Sequence, residues 1–327
     1  MRAGLFLALL LSAPSLWAAA PVEELRLVAE YPVAGMDGGN LSGLAVCGKA
    51  LQSVSDRVDD RLFVLESVDG VLQARAEAFE APPPPPSGLP WGVRTRTWFM
   101  NLFRGNELDL EGIACDAAGN RYLLSEAHAA VLQVRPDGTA DWLRLPDSLV
   151  RQARASGMLL HFNALLEGIA IDPAGERLWL AAERERRGLM VVHRKQSTWS
   201  CSGGCVIFSE AGEDTPPPTL GRAVPMAKDF ADLSLYKGKL FTLERHAHKV
   251  CRRDPAKGLV ERCWSFAAEA LTEPRRYDVD WGMAEALVVD ADGAWIGVDN
   301  GSSVRADGES RPIVWRFAKP TGGWEAP

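Results

Sequence analysis

The sequence predicts an all-β fold: a single β-propeller with five recognisable four-stranded blades, six being the rival count, closed by an N-terminal strand. Three observations predict it. One layout recurs five times, the apolar strands are short and separated by Gly, Pro and Asp turns, and helical periodicity is almost absent. The copies begin at Leu41-Ser42-Gly43-Leu44, Leu110-Glu111-Gly112-Ile113, Leu166-Glu167-Gly168-Ile169, Ala231-Asp232-Leu233-Ser234 and Ala284-Glu285-Ala286-Leu287. A Gly-containing turn follows each, such as Asp172-Pro173-Ala174-Gly175, and then a second strand ending in an acid: Asp56, Glu126, Glu183, Glu244 or Asp299. The copies recur roughly every 50 to 70 residues, room for one blade of about 40 to 50 residues plus its loops.

Residues 1–20 stand apart from the repeat. Met1-Arg2, the apolar run to Leu11 and the small residues Ala18-Ala19-Ala20 read as a secretory signal, which leaves 21–327 as one propeller domain. Leu25 to Tyr31 is a spare strand ahead of the first copy, and the last copy has only Ile313 to Phe317 after its acid, so the N-terminal strand can supply its missing fourth. Pro82 to Phe99 is a stiff, then aromatic and basic, rim insertion. Asp147 to Gly157 reads as a short helix with Asp147 as N-cap and a Gly stop. The Pro-rich stretch from Glu213 to Thr219 reads as a surface loop.

Composition narrows the function. With 36 Lys+Arg against 43 Asp+Glu, a net charge of −7, the chain lacks the basic face a nucleic-acid binder needs. No run beyond the signal approaches the ~20 apolar residues of a membrane helix, so a free, exported monomer, periplasmic or secreted, is expected. Six Cys in an oxidising compartment then suggest disulfides. Cys201 and Cys205 flank a flexible Ser-Gly-Gly loop, Cys251 and Cys263 flank a hairpin turn, and Cys47 and Cys115 occupy nearly the same place in two copies, giving the pairs Cys47–Cys115, Cys201–Cys205 and Cys251–Cys263.

Antiparallel pairing puts the start of each first strand beside the end of the second. The opening acids Glu111, Glu167, Asp232 and Glu285 therefore share a face with the five closing acids, and radial repetition gathers them at one mouth of the channel. So many carboxylates need compensation. A hard cation such as Ca²⁺ would take its ligands from Glu111, Glu167, Asp232, Glu285, Asp56 and Asp299. The alternative is a ring of salt bridges to Arg57, Arg184 and Arg245, although alternation along a strand should keep each Arg from its own preceding acid.

The stretches from Asn40-Leu41-Ser42-Gly43 to Ser55-Asp56-Arg57, from Asp109-Leu110-Glu111-Gly112 to Ser125-Glu126, and Leu166-Glu167-Gly168, Leu243-Glu244-Arg245 and Val298-Asp299-Asn300 resemble the esterase-like activity of phytase family. The SdiA-regulated propeller proteins share similar Glu-Gly-Ile and Glu-Arg signatures. Ser42 in place of an acid and Leu233 in place of Gly depart from the pattern. The resemblance implies an exported, Ca²⁺-dependent hydrolase of phosphate or carboxyl esters. In that reading Glu126, Glu183 or Glu244 activates water, Arg184 or Arg245 holds an anionic group, and His246 beside Glu244 assists. The other reading is a non-catalytic envelope propeller that binds a ligand or protein around a structural calcium. A Gly-x-Ser-x-Gly elbow is absent, and the phosphate-loop look of Gly43 to Lys49 fails at Ala50, where Ser or Thr is required.

Overall fold

The structure, a computed structural model, describes residues 22–36, 40–96, 107–162, 164–221, 224–279 and 281–326. The expected signal segment lies outside the described residues.

Blade one is Gly43–Cys47, Ala50–Val54, Arg61–Val68 and Val71–Ala78, each strand antiparallel to the next. Blade two is Leu110–Cys115, Arg121–Ser125, Ala130–Val134 and Ala140–Trp142. In blade three Leu166–Ile171 and Arg177–Ala182 lead to the long strand Arg186–Lys195, whose outer edge carries both Thr198–Ser200 and Val206–Ala211. Blade four is Asp232–Tyr236, Lys239–Glu244, Lys249–Arg253 and Val260–Ser265, with Glu23–Glu24 added in parallel. Blade five is Ala284–Val289, Gly293–Val298 and Ile313–Ala318. The N-terminal strand Leu27–Ala34 supplies its fourth strand, antiparallel from Leu27 to Pro32, and then pairs Val33 and Ala34 in parallel with Leu72 and Gln73 of blade one. That strand seals two sheet edges at once, which removes the pairing sites an open ring would expose.

The first strands form the inner ring. Each packs on the next, and Ala284–Val289 returns to Gly43–Cys47. Five apolar clusters fill the spaces between successive blades. Leu110, Ile113 and Leu123 meet Val54 and Leu62 between blades one and two, while Phe230 and Leu240 meet Trp179 and Leu189 between three and four. The motif glycines are explained by this ring. A Cβ on Gly43 would come within 2.9 Å of Gly112 Cα, one on Gly112 within 2.9 Å of an Ile169 methyl, and one on Gly168 within 2.9 Å of the Asp232 carbonyl carbon. Only a residue without a side chain lets these strands approach so closely. Gly112→Val is therefore expected to destabilise the fold by about 1–3 kcal/mol in urea denaturation.

Three disulfides join Cys47 to Cys115, Cys201 to Cys205 and Cys251 to Cys263. The first ties the inner strands of blades one and two across 68 residues and, by the loop-closure argument, contributes roughly 4 kcal/mol. The helix expected after Asp147 is Ser148–Ala155, and Gly157 follows with φ +86. Asp147 does not cap it: its own dihedrals are already helical and its side chain makes no capping bond, whereas an N-cap needs a non-helical backbone. The expected loop from Glu213 is partly ordered, Glu213–Asp214 pairing with Met226–Ala227 ahead of a 3₁₀ turn at Pro218–Leu220. The proline run lies on blade two, where Trp142 Nε1 donates to Pro82 O at 2.8 Å. No described helix is long and apolar enough to cross a membrane.

Candidate functional site

Strand register explains which acids reach the channel mouth. Gly43, Gly112, Gly168, Leu233 and Ala286 pair with Val54, Leu124, Ala181, Thr242 and Gly297, and in every blade the closing acid lies two residues past that partner. The opening acids sit on a local irregularity. The register skips Glu111 between Leu110 and Gly112, Glu167 between Leu166 and Gly168, and Glu285 between Ala284 and Ala286. Each of these glutamates is thus the extra residue of a β-bulge, a device that turns a side chain out of its strand's alternation.

The inner hairpin of blade four has no bulge, and Asp232 does something else there. It pairs regularly with Leu243, and its carboxylate accepts the N–H groups of Leu233 and Leu287, both at 2.7 Å. The bond from Leu287 stitches blade four to blade five, so the expected role of Asp232 as a cation ligand is corrected to a structural one. In blade one Ser42 Oγ accepts the Asp56 N–H at 3.0 Å, which positions the closing acid instead of adding a charge.

Six of the acids form two triads. Asp56, Asp109 and Glu111 bring carboxylate oxygens within 4.8 Å of one another, and so do Glu126, Glu167 and Glu183. Burial, then the charges of Asp109, Asp56 and Glu126, hold the Glu111 carboxyl well above its ordinary range. Burial, then Glu183, Glu111 and Glu126, do the same to Glu167. Among the described residues neither the Glu111 nor the Glu167 carboxylate has a hydrogen-bond or ion-pair partner. Glu183 is 1% exposed. Its Oε2 has no hydrogen-bond partner among the described residues, and burial outweighs Arg245 and Arg184 to push its carboxyl up to about 7. Burial without compensation is costly for a carboxylate, and an all-oxygen set of this kind suits a hard divalent cation. The residues present therefore fit calcium.

Arg245 divides this region from the next. Its guanidinium donates to Glu183, to Glu285 and, at 3.1 Å, to Asp229 Oδ2. With three carboxylates on it, Arg245 neutralises acids and is not available to grip a substrate anion, which corrects the expected catalytic role. Asp229 also takes the His246 N–H at 3.1 Å, and His246 Nδ1 lies 2.9 Å from Ala227 O, so that nitrogen carries the ring proton. Glu244 is withdrawn as a water activator: Arg253 at 2.7 Å and Arg187 at 3.0 Å hold it in a buried network. Arg57 and Arg184 do pair with their own preceding acids, Asp56 at 3.3 Å and Glu183, contrary to the alternation argument. Strands end at Val54 and Ala182, so these pairs sit in turns where strand alternation no longer applies.

A cleft of about 650 Å³ opens beside Arg245, with Arg184, His246, Glu285 and Asp299 in its lining. Burial, then Glu285, push the Asp299 carboxyl up to about 7, while its Oδ1 accepts the Gly301 N–H at 2.7 Å. Asp299 thus changes charge near neutrality at the edge of a cavity, as a proton-transfer group must. Sequence reasoning overlooked Asp109 and Asp229, although each lies just ahead of an inner strand. It also missed Arg187, whose partner Glu210 is 23 residues away.

Raised carboxyl pKa values set the pH response. Glu111, Glu167, Glu183, Glu285 and Asp299 all hold protons more tightly folded than unfolded, so their contribution is complete below the unfolded range of about pH 4 and is lost as pH rises through their raised folded values, about 7 for Glu183 and Asp299. In chelator, thermal melts should show stability falling between pH 5 and 8, and 1 mM Ca²⁺ should flatten that fall.

The family model for the esterase-like activity of phytase, Phytase-like, matches residues 38–199. Among curated proteins no sequence matches the chain. Of solved structures, a glutaminyl cyclase of Myxococcus xanthus is similar at 14% identity over 91% of this chain and 97% of that one, with a TM-score of 0.49. A virginiamycin B lyase of Staphylococcus aureus is similar at 14% identity over 91% and 75%, with a TM-score of 0.37.

Proposed function

We propose that this phytase-like propeller is an exported, calcium-assisted hydrolase of phosphate or carboxyl esters, acting at the acidic mouth of its channel. The observation that carries the reading is the pair of carboxylate triads, with Glu111 and Glu167 unpartnered among the described residues, next to a cleft holding Arg184 and Asp299. Asp56, Asp109 and Glu111 would hold one ion and Glu126, Glu167 and Glu183 a second. Bound calcium supplies polarisation of a phosphoryl or acyl oxygen. Asp299, ionised above about pH 7, takes the proton of the attacking water. Arg184 orients an anionic ester oxygen, while Arg245 and Asp229 fix the surrounding backbone and carboxylates. Export rests on the N-terminal sequence, and the disulfides are consistent with it.

A structural calcium without catalysis is favoured by one observation. The first triad joins blade one to blade two and the second joins two to three, so ions there would staple blades together. Turnover separates the readings. Purified protein with 1 mM Ca²⁺ should hydrolyse p-nitrophenyl phosphate or p-nitrophenyl acetate, lose activity in EDTA, and lose about 10²–10⁴-fold in kcat with Asp299→Asn. Inactivity on both substrates together with calcium-dependent thermal stabilisation establishes the structural reading.

A further inference from the structure

We propose that the cleft selects an ester whose organic part is aromatic or apolar and which carries at most one anionic group, the apolar part lying on Met226, Trp281 and Met283. The inference rests on the hydrolase reading above and names its substrate class.

The lining of the cleft is of two chemical kinds. Arg184, Arg245, Glu285, Asp299 and Asn300 are polar, whereas Pro225, Met226, Trp281 and Met283 are apolar or aromatic. Trp281 is 47% exposed and lines the cleft, so its ring offers an amphipathic contact surface there. The segment that carries it is fixed by the site itself. A Cβ on Gly282 would come 2.2 Å from Arg245 O, so only glycine lets the chain lie against that carbonyl. On the other side Met283 O accepts the Asp299 N–H at 3.1 Å. The aromatic platform is thereby held on the backbone of Arg245 and Asp299, the residues that border the proposed chemistry. From Trp281 the lining continues into a second cleft of about 640 Å³, where Tyr277, Val279, Leu220 and the exposed Val304 stand beside Glu273, Arg276 and Asp278, two acids against one cation.

Charge argues against a polyanion. Among the described residues the arginines lining the cleft are Arg184, bonded to Glu183, and Arg245, bonded to three carboxylates, while Glu285 and Asp299 line it as well. A polyphosphorylated polyol needs several cations in surplus and offers nothing to an indole face. Two divalent ions carry four positive charges against the six carboxylates of the triads, and so leave no positive surplus for a polyanion. An ester with one anionic group or none and an aryl or apolar part meets both kinds of lining.

Binding of non-hydrolysable probes tests this without requiring turnover. Calorimetric titrations with 1-naphthylphosphonate, methylphosphonate and fructose 1,6-bisphosphate would be run on the calcium-loaded protein. The naphthyl probe is expected to bind at least 10-fold tighter than either other probe, Trp281→Ala to remove that preference, and Trp281→Phe to keep most of it, all at unchanged melting temperature. Tighter binding of the bisphosphate, or a naphthyl preference that survives Trp281→Ala, overturns the proposal. Failure of ester turnover with the naphthyl preference intact would instead sink the hydrolase reading alone.

Discussion

Substituting Arg245 with methionine is expected to destabilise the folded protein by about 3–5 kcal/mol at pH 7, the usual cost of removing one partner from a buried ionic cluster. Blade four supplies this guanidinium, and it holds Glu183 of blade three, Glu285 of blade five and Asp229 of the connecting segment. Their carboxylates are buried or nearly so, and without the cation each must stay ionised at high cost or take up a proton. The two glutamates already hold protons more tightly than free carboxyls do, so proton uptake is the cheaper course. The penalty should therefore shrink as pH is lowered toward 5, which chemical denaturation at several pH values would show. Arg57→Met is the control. That side chain is 40% exposed, so water screens its pairing with Asp56 and its loss should cost less than about 1 kcal/mol.

Calcium should give the second large effect, in the opposite direction. A ligand that binds only the folded state at 100 times its Kd adds about 2.7 kcal/mol of stability, and an ion in each triad would add its own increment. Like-charge repulsion is what the ion relieves. Glu111 and Glu167 stand among other carboxylates with no described partner, so the folded protein without metal carries strain that a cation converts into binding energy. Binding must also displace protons from these groups at neutral pH. Glu111→Gln or Glu167→Gln should leave the metal-free protein more stable than the parent above pH 7, yet gain less from calcium.

Much of this arrangement is legible in the chain because the repeat and the hairpin register are tied together. Once Gly112 and Gly168 are aligned, antiparallel pairing fixes Glu126 and Glu183 two residues past their partners, and the N-terminal strand is the natural candidate to complete blade five. What the pattern does not carry is the bulge. Asp232 aligns with Glu111 in sequence, but without the extra residue its carboxylate stays within the ring and caps backbone N–H groups. Pairing preferences across blades are equally hidden. Glu244 follows its strand as Glu183 follows its own, yet Arg187 and Arg253 reach it from neighbouring strands while Arg245 turns to Glu183 and Glu285. Such partners are chosen by packing, and no spacing in the sequence encodes them. Trp281 had no motif to mark it, since its place depends on Gly282 lying against Arg245.

The central claim is that the acidic mouth is a divalent-cation site. Calorimetric titration of calcium into metal-free protein at pH 7, repeated in two buffers of different ionisation enthalpy, tests it most directly. Saturable binding accompanied by proton release is expected, both greatly weakened in a Glu111→Gln/Glu167→Gln variant. Absence of binding at millimolar calcium, or binding that the double variant leaves unchanged, would contradict it.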